Sequence, residues 1–176
     1  MIKLENKFAI GCLIQWYEVE IFEEYINSVI SALKDIENKK NVIVDITFNM
    51  AQNLEEIDRE QMELGEIFQR FIEVRRNLTS QHINHSIKFY PESIEKATSK
   101  LVKPYTIADY RREFNDKYCE DVDVLMWGET DAIIPKQTFE ILDMLHTNNV
   151  GQNVYKYVSF FGTCKMWDES WKPIEH

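Results

Sequence analysis

The segment 121-DVDVLMWGETDAIIP-135 gives the strongest indication of the fold. Its first half, from Val122 to Trp127, is mostly apolar over the length of one strand, and such a run is typical of a buried strand in a parallel sheet. The run ends at Gly128, and Glu129 and Asp131 follow before apolar residues return. Two carboxylates at the end of a buried strand are either solvated or hold a positively charged partner.

Strand-like and helix-like patterns alternate along the rest of the chain. Strands are predicted at 8–16, 41–49, 86–91, 122–127 and 153–167, and helices at 17–40, 53–78, 106–121 and 134–149. This alternation is typical of right-handed crossovers in a mainly parallel sheet with helices on both faces. The sequence therefore predicts one Rossmann-like α/β domain over residues 1–176, with its ligand at the carboxyl ends of the strands.

Composition and charge narrow the possible functions. The chain of 176 residues is 44% hydrophobic, which indicates a globular protein, and its net charge of −10 disfavours nucleic-acid binding through a basic surface. No apolar run reaches the roughly 20 residues of a membrane span, so we expect no transmembrane segment. The three widely spaced cysteines are typical of free thiols in a reducing compartment, and we expect a cytoplasmic location.

The usual glycine motifs for phosphate binding are absent, since neither G-x-G-x-x-G nor G-x-x-x-x-G-K occurs. Glu129 and Asp131 instead offer hard oxygen ligands, which Mg²⁺ or Mn²⁺ takes together with phosphate oxygens. Residues at i and i+2 of an extended segment point the same way, so we expect both carboxylates to reach one ion. The alternative is a solvated turn with two surface acids.

The surroundings of this acidic pair resemble the inverting family 2 glycosyltransferases of the GT-A fold. In that family a helix with an R-N motif leads into a buried strand that ends in D-x-D. The stretch RREFNDKYCEDVDVLMWGETDAIIP has this layout, with Glu129 in place of the first aspartate. The stretch FAIGCLIQWYEVEIFEEYINSVISAL is similar to the family's first strand, nucleotide-contacting loop and first helix. The resemblance implies a GT-A domain that transfers a sugar, with inversion, from a nucleotide-diphosphate donor to a hydroxyl of a glycan or other acceptor.

The resemblance also assigns roles to individual residues. It places Mn²⁺ or Mg²⁺ on Glu129 and Asp131, with His176 as a third ligand, and the catalytic base at Asp168 or Glu169. Donor contacts are assigned to Gln15, Trp16, Tyr17 and Glu18 in the first loop, to Asp45, and to Arg111, Arg112 and Asn115 on the helix before the acidic pair. Asp45 receives its base-binding role by position alone, because DITFNMAQ replaces the family's D-D-G-S.

Several of these residues have a structural alternative. Arg111 and Arg112 are also expected to form ion pairs within their helix. Asp168 and Glu169 fit a polar turn between two tryptophans. At the level of function, the alternatives are a non-catalytic α/β binding or assembly module and a nucleotidyltransferase. The latter usually needs a glycine-rich basic loop after the first strand, which IGCLIQWYE does not supply.

Overall fold

Four parallel strands and four helices alternate along the chain in a computed structural model, which describes residues 1–15, 18–19, 21–50, 64–93, 103–154 and 157–158. The strands are β1 (Phe8–Gln15), β2 (Val42–Asn49), β3 (Asn84–Tyr90) and β4 (Val124–Gly128), and the helices are α1 (Phe22–Leu33), α2 (Leu64–Ser80), α3 (Ile107–Tyr118) and α4 (Thr138–Gly151). The predicted α/β fold is confirmed, and the arrangement is consistent with a single Rossmann-like domain.

The strand order is β3-β2-β1-β4, and every pairing is parallel. In register, Phe8 lies opposite Val42 on one side and Val124 on the other. The chain thus moves outward from β1 to β3 and returns to place β4 on the other side of β1. This reversal creates a topological switch point between the carboxyl ends of β1 and β4, where open sheets of this kind bind ligands.

Side chains of β1 alternate between two cores, one on each face of the sheet. Phe8, Ile10, Cys12 and Ile14 belong to the core formed with α1, α2 and α4, whereas Ala9 and Leu13 pack with α3. The larger core is rich in aromatic contacts: Phe139 meets Phe8 edge to face at 5.8 Å, and Phe22 stacks on Phe71 at 4.6 Å. Helices therefore cover both faces of the sheet, as predicted.

Helix α3 begins with a capping box and lies close to the sheet at a glycine of β1. Thr106 Oγ1 accepts a hydrogen bond from the Asp109 backbone N–H, and Asp109 accepts one from the Thr106 N–H, which makes a capping box. A Cβ at Gly11 would lie 2.7 Å from the Phe114 ring, so the glycine lets this helix approach β1 closely. This placement determines where the arginines of α3 point.

Strand β4 differs from the prediction in its position and burial. It lies at the edge of the four-stranded sheet formed by the described residues, and Trp127 is 47% exposed, so the prediction of a buried strand was wrong. The strand also begins at Val124, two residues later than predicted. Just ahead of it, the Asp123 N–H donates to the Lys7 carbonyl, and the Asp123 carboxylate accepts from the Lys7 N–H. The predicted strand at 153–167 and the first part of the predicted helix at 53–78 fall largely outside the described residues.

No helix within the described ranges combines the length and the apolar character needed to cross a membrane.

Candidate functional site at the carboxyl ends of β1 and β4

The acidic pair after β4 lies in a tight turn. The Ala132 N–H donates to the Glu129 carbonyl at 3.0 Å, which closes a four-residue turn directly after Gly128. Glu129 and Asp131 are exposed, whereas Thr130 between them is buried. The expectation of an extended segment was therefore wrong, because the backbone reverses here instead of continuing the pleat, and the shared ion of Glu129 and Asp131 stays a prediction.

Thr130 joins this turn to the loop after β1. Its hydroxyl donates to Glu18 Oε2 at 3.2 Å, and the same carboxylate oxygen accepts from the Gln15 backbone N–H at 2.7 Å. Cys12 Sγ lies 3.6 Å from Thr130 Oγ1, and burial raises the pKa of this thiol strongly, so it remains protonated. The first loop and the acidic turn thus meet at the switch point, as the parallel topology predicted for Gln15 and Glu18. Trp16 and Tyr17 lie outside the described residues.

Glu18 brings a third carboxylate to this place. Its pKa is raised, first by partial burial and then by the negative charges of Asp131 and Glu129, while its hydrogen bonds from Gln15 and Thr130 act in the opposite direction. The repulsion means that the three carboxylates are close enough to interact. The carboxyl ends of β1 and β4 therefore form an acidic site that would gain from a cation.

The positive partner of Glu129 is a guanidinium group from α3. Arg111 Nη2 donates to Glu129 Oε1, and the guanidinium carbon lies 5.0 Å from the centre of the Trp127 ring. Asn115 fixes this ring, because its Oδ1 accepts from Trp127 Nε1 at 3.1 Å. Both Arg111 and Asn115 of the predicted R-N helix thus reach the end of β4, with Asn115 contacting the tryptophan.

Arg112 pairs within its own helix. Its Nη1 lies 3.7 Å from Asp109, and its side chain is 71% exposed. Its contact with a phosphate stays a prediction. The alternative of an ion pair within the helix describes Arg112.

Asp45 is buried in the middle of β2, at 2% exposure. Its Oδ2 accepts from Lys117 Nζ at 2.8 Å and from the Tyr118 hydroxyl at 2.7 Å, and its Oδ1 accepts from the Tyr110 hydroxyl at 3.3 Å. The carboxyl end of β2 is Asn49, four positions later and about 13 Å away along the strand. The assignment of Asp45 to base binding was therefore wrong, because the side chain is enclosed under α3.

Asn49 occupies the end of β2 and was not identified from the sequence. Its Nδ2 donates to Gln15 Oε1 at 3.0 Å and to the Tyr105 carbonyl at 2.8 Å, which ties together β1, β2 and the segment before α3. Tyr105 in turn stacks on Tyr90 at the end of β3, with 4.4 Å between the ring centres. The available signal was its position, since Asn49 is the last residue of the strand-like run VIVDITFN.

A divalent cation would have to be held here by few protein ligands. Within the described ranges, no group of three His, Cys, Asp or Glu side chains is arranged to hold a metal ion. Mg²⁺ typically takes only one or two carboxylates and completes its shell with water and phosphate oxygens, so Glu129 and Asp131 suit an ion of this kind. Asp168, Glu169 and His176 lie outside the described residues.

Comparison with protein-family profiles, with curated proteins and with solved structures found no match to this chain. Function is therefore inferred from the chemistry of the site, because an α/β fold alone is compatible with many activities.

Proposed function

We propose that the protein is a metal-dependent glycosyltransferase that moves a sugar from a nucleotide-diphosphate donor to a hydroxyl acceptor. The observation that carries the proposal is the hydrogen bond from Thr130 to Glu18, which joins the turn of Glu129 and Asp131 to the first loop at the switch point, where Rossmann-like sheets bind nucleotides. The resemblance to family 2 glycosyltransferases supports the same reading, because its acidic motif corresponds to this turn.

The protein's own groups would divide the work of donor binding. Glu129 and Asp131 would supply carboxylate oxygens to Mn²⁺ or Mg²⁺, and such an ion offsets the charge of a diphosphate leaving group when bound. Arg111 lies beside them, and its planar guanidinium matches two phosphate oxygens at once.

The ends of β1 and β2 offer polar groups for the nucleoside. Asn49 engages the amide oxygen of Gln15, and none of the hydrogen bonds among the described residues uses the Gln15 NH₂ group. That NH₂ group would donate to a base or ribose of the donor.

The proposed reaction is a single displacement. The acceptor hydroxyl oxygen forms a bond to the anomeric carbon as the bond from that carbon to the diphosphate oxygen breaks. The bonding electron pair leaves with the nucleoside diphosphate, and the hydroxyl proton passes to a carboxylate base. The family resemblance assigns this base to Asp168 or Glu169. Attack on the face opposite the leaving group inverts the configuration.

Isothermal titration calorimetry tests the proposal. UDP, GDP, CDP and ADP are each titrated into the protein with and without Mn²⁺, and Asp131→Asn is compared with Asp116→Asn, which removes the same charge from an exposed site on α3. We expect one diphosphate to bind only with Mn²⁺, and Asp131→Asn to weaken that binding by more than about tenfold. Absence of binding by all four, or equal binding by both variants, would overturn the proposal.

A non-catalytic binding module is the second candidate, and the Arg111–Glu129 pair favours it because Glu129 is charge-compensated without a metal. The two candidates differ in turnover. A glycosyltransferase slowly hydrolyses its nucleotide-sugar donor in the presence of Mn²⁺ even without acceptor, whereas a binding module releases the donor intact. Chromatography that measures the free sugar released from the corresponding nucleotide-sugar donor distinguishes the two candidate functions.

A further inference from the structure

The guanidinium of Arg111 is held by two different groups at the end of β4. One is the Glu129 carboxylate, and the other is the face of Trp127, whose ring is fixed by Asn115. Only the first contact depends on the negative charge of Glu129. Loss of that charge would therefore leave Arg111 with a second support at the same place.

The ion pair itself is open to solvent and weak. The side chains of Arg111 and Glu129 are 34% and 50% exposed, and exposed pairs of this kind contribute little to stability. The pair is also incomplete, because among the described residues the buried Arg111 Nε has no hydrogen-bond partner. A divalent cation brings twice the charge to the same carboxylate, and Asp131 and Glu18 add to its attraction.

We propose that Arg111 is an exchangeable counter-ion of Glu129. A divalent cation displaces the guanidinium from the carboxylate, and Arg111 stays beside the site on the Trp127 face and becomes a ligand of the diphosphate. This inference rests on the proposed function and adds to it a coupling between cation binding and donor binding. Trp127 and Asn115 are then positioning residues, because they act through Arg111.

The coupling would keep the site electrostatically balanced in both states. Without a cation, Arg111 offsets one of three neighbouring carboxylates. With a cation, the carboxylates are offset by the ion, and the released guanidinium adds a positive charge where a diphosphate carries its negative charge. Binding of the cation thus creates an anion site from groups that were previously paired with each other.

Two variants of neighbouring arginines test the exchange. Arg111→Gln and Arg112→Gln remove the same charge from the same helix, but only the first side chain contacts Glu129. In calorimetric titrations with Mn²⁺ alone, we expect Arg111→Gln to bind the ion about two- to fivefold more tightly than wild type and than Arg112→Gln. Equal or weaker binding by Arg111→Gln would overturn the exchange.

The second titration measures binding of the diphosphate, which Arg111→Gln should weaken instead of strengthen. With saturating Mn²⁺, we expect Arg111→Gln to bind the nucleoside diphosphate selected from UDP, GDP, CDP and ADP at least about threefold more weakly than Arg112→Gln. A residue with a merely structural role would weaken both titrations. If none of the four diphosphates binds in the presence of Mn²⁺, the proposed function and the exchange both fail, whereas absence of binding of Mn²⁺ alone overturns only the exchange. If wild type shows Mn²⁺-dependent diphosphate binding but Arg111→Gln matches it in both titrations, only the exchange fails.

Tryptophan emission reports the movement directly. Mg²⁺, which does not quench fluorescence as Mn²⁺ does, is titrated into wild type and into Trp127→Phe, since the chain has four tryptophans. We expect a saturable change in emission in wild type that disappears in Trp127→Phe. A change of equal size in both proteins would show that Trp127 does not sense the cation, and would contradict its part in the exchange.

Discussion

Asp45 and Glu129 are both acids of this sheet that pair with a cation from α3, but their surroundings are opposite. Asp45 is enclosed in the middle of β2 and accepts hydrogen bonds from Lys117, Tyr118 and Tyr110. Glu129 follows the end of β4, is half exposed, and is held by Arg111 alone among the contacts of the described residues. The first acid accepts three hydrogen bonds in a closed environment, and the second has oxygens open to an incoming ligand.

The difference separates a structural acid from one suited to binding. A buried carboxylate is tolerated only when donors surround it, and the same donors then exclude a ligand. Burial lowers the pKa of Lys117, but its hydrogen bonds to Asp45 and Tyr118 outweigh this effect, and the pKa is raised overall. Lys117 thus stays charged and its pair with Asp45 is closed, whereas Glu129 can change its partner at little cost to the fold.

The largest effect that we expect is the loss of stability in Asp45→Asn. The amide keeps the shape but removes the negative charge that Lys117 pairs with, and it replaces one acceptor oxygen of a buried network by a donor. The free energy of unfolding should fall by about 2 to 3 kcal/mol in urea titrations. Asp116→Asn, an exposed change on α3, is the control. Equal unfolding midpoints for the two variants would contradict the structural role of Asp45.

Gly128→Ala tests whether the end of β4, which leads into the acidic turn, packs tightly against the core. A Cβ at this position would lie 2.1 Å from the hydroxyl and 2.8 Å from Cζ of the buried Tyr25. Overpacking of this kind costs about 1 to 3 kcal/mol, and the added substitution Tyr25→Phe should recover part of the loss because it removes the nearest atom. Thermal unfolding of the single and double variants measures both. A fully stable Gly128→Ala would mean that Tyr25 does not pack against the end of β4.

Glu129→Gln should scarcely change stability, in contrast to Asp45→Asn. The pair with Arg111 is exposed, so its loss should lower the free energy of unfolding by less than about 1 kcal/mol. Mn²⁺ binding, followed in the same samples by calorimetry, should nevertheless be lost. A variant that unfolds as early as Asp45→Asn would place Glu129 among the structural acids.

The smallest effect concerns the pH dependence of Glu18→Gln. Because the pKa of Glu18 is raised in the folded protein, wild type loses stability as the pH rises through that pKa, and the neutral glutamine does not. The variant should therefore melt slightly above wild type at pH 8, and this gain should vanish at pH 4, where Glu18 is largely protonated in both folded and unfolded protein. Glu120→Gln, at an exposed position just after α3, serves as a control. A gain that is larger at pH 4 than at pH 8 would contradict the sign of the shift.

The sequence predicts the fold well because its signals are local. Apolar runs, helical spacing and the Thr106 cap each depend on a few neighbouring residues, and the strand order then brings the first loop and the acidic turn to one edge. The pairing of Arg111 with Glu129 depends on how α3 rotates against β4, and no local pattern contains that information. Thr130 was missed for the same reason, since its partner Glu18 comes from another loop.

Asp45 is a different kind of miss. The run VIVDITF places it in the middle of a strand, where a side chain points into a core and cannot reach the carboxyl end. The strand pattern by itself indicates a buried, structural role for Asp45, whereas the resemblance to a family motif assigned it to base binding. Asn49, four residues later, is the polar side chain that the strand does bring to the edge.

The central claim, that a cation binds at the switch point, is tested most directly by paramagnetic broadening of backbone amide NMR signals during a titration with Mn²⁺. We predict that the signals of Gln15 and Thr130 disappear first, at substoichiometric Mn²⁺. The signals of Lys7 and Val42, at the opposite end of strands about 25 Å long, should stay sharp. Broadening that is uniform, or that starts at another acidic part of the surface, would contradict the claim.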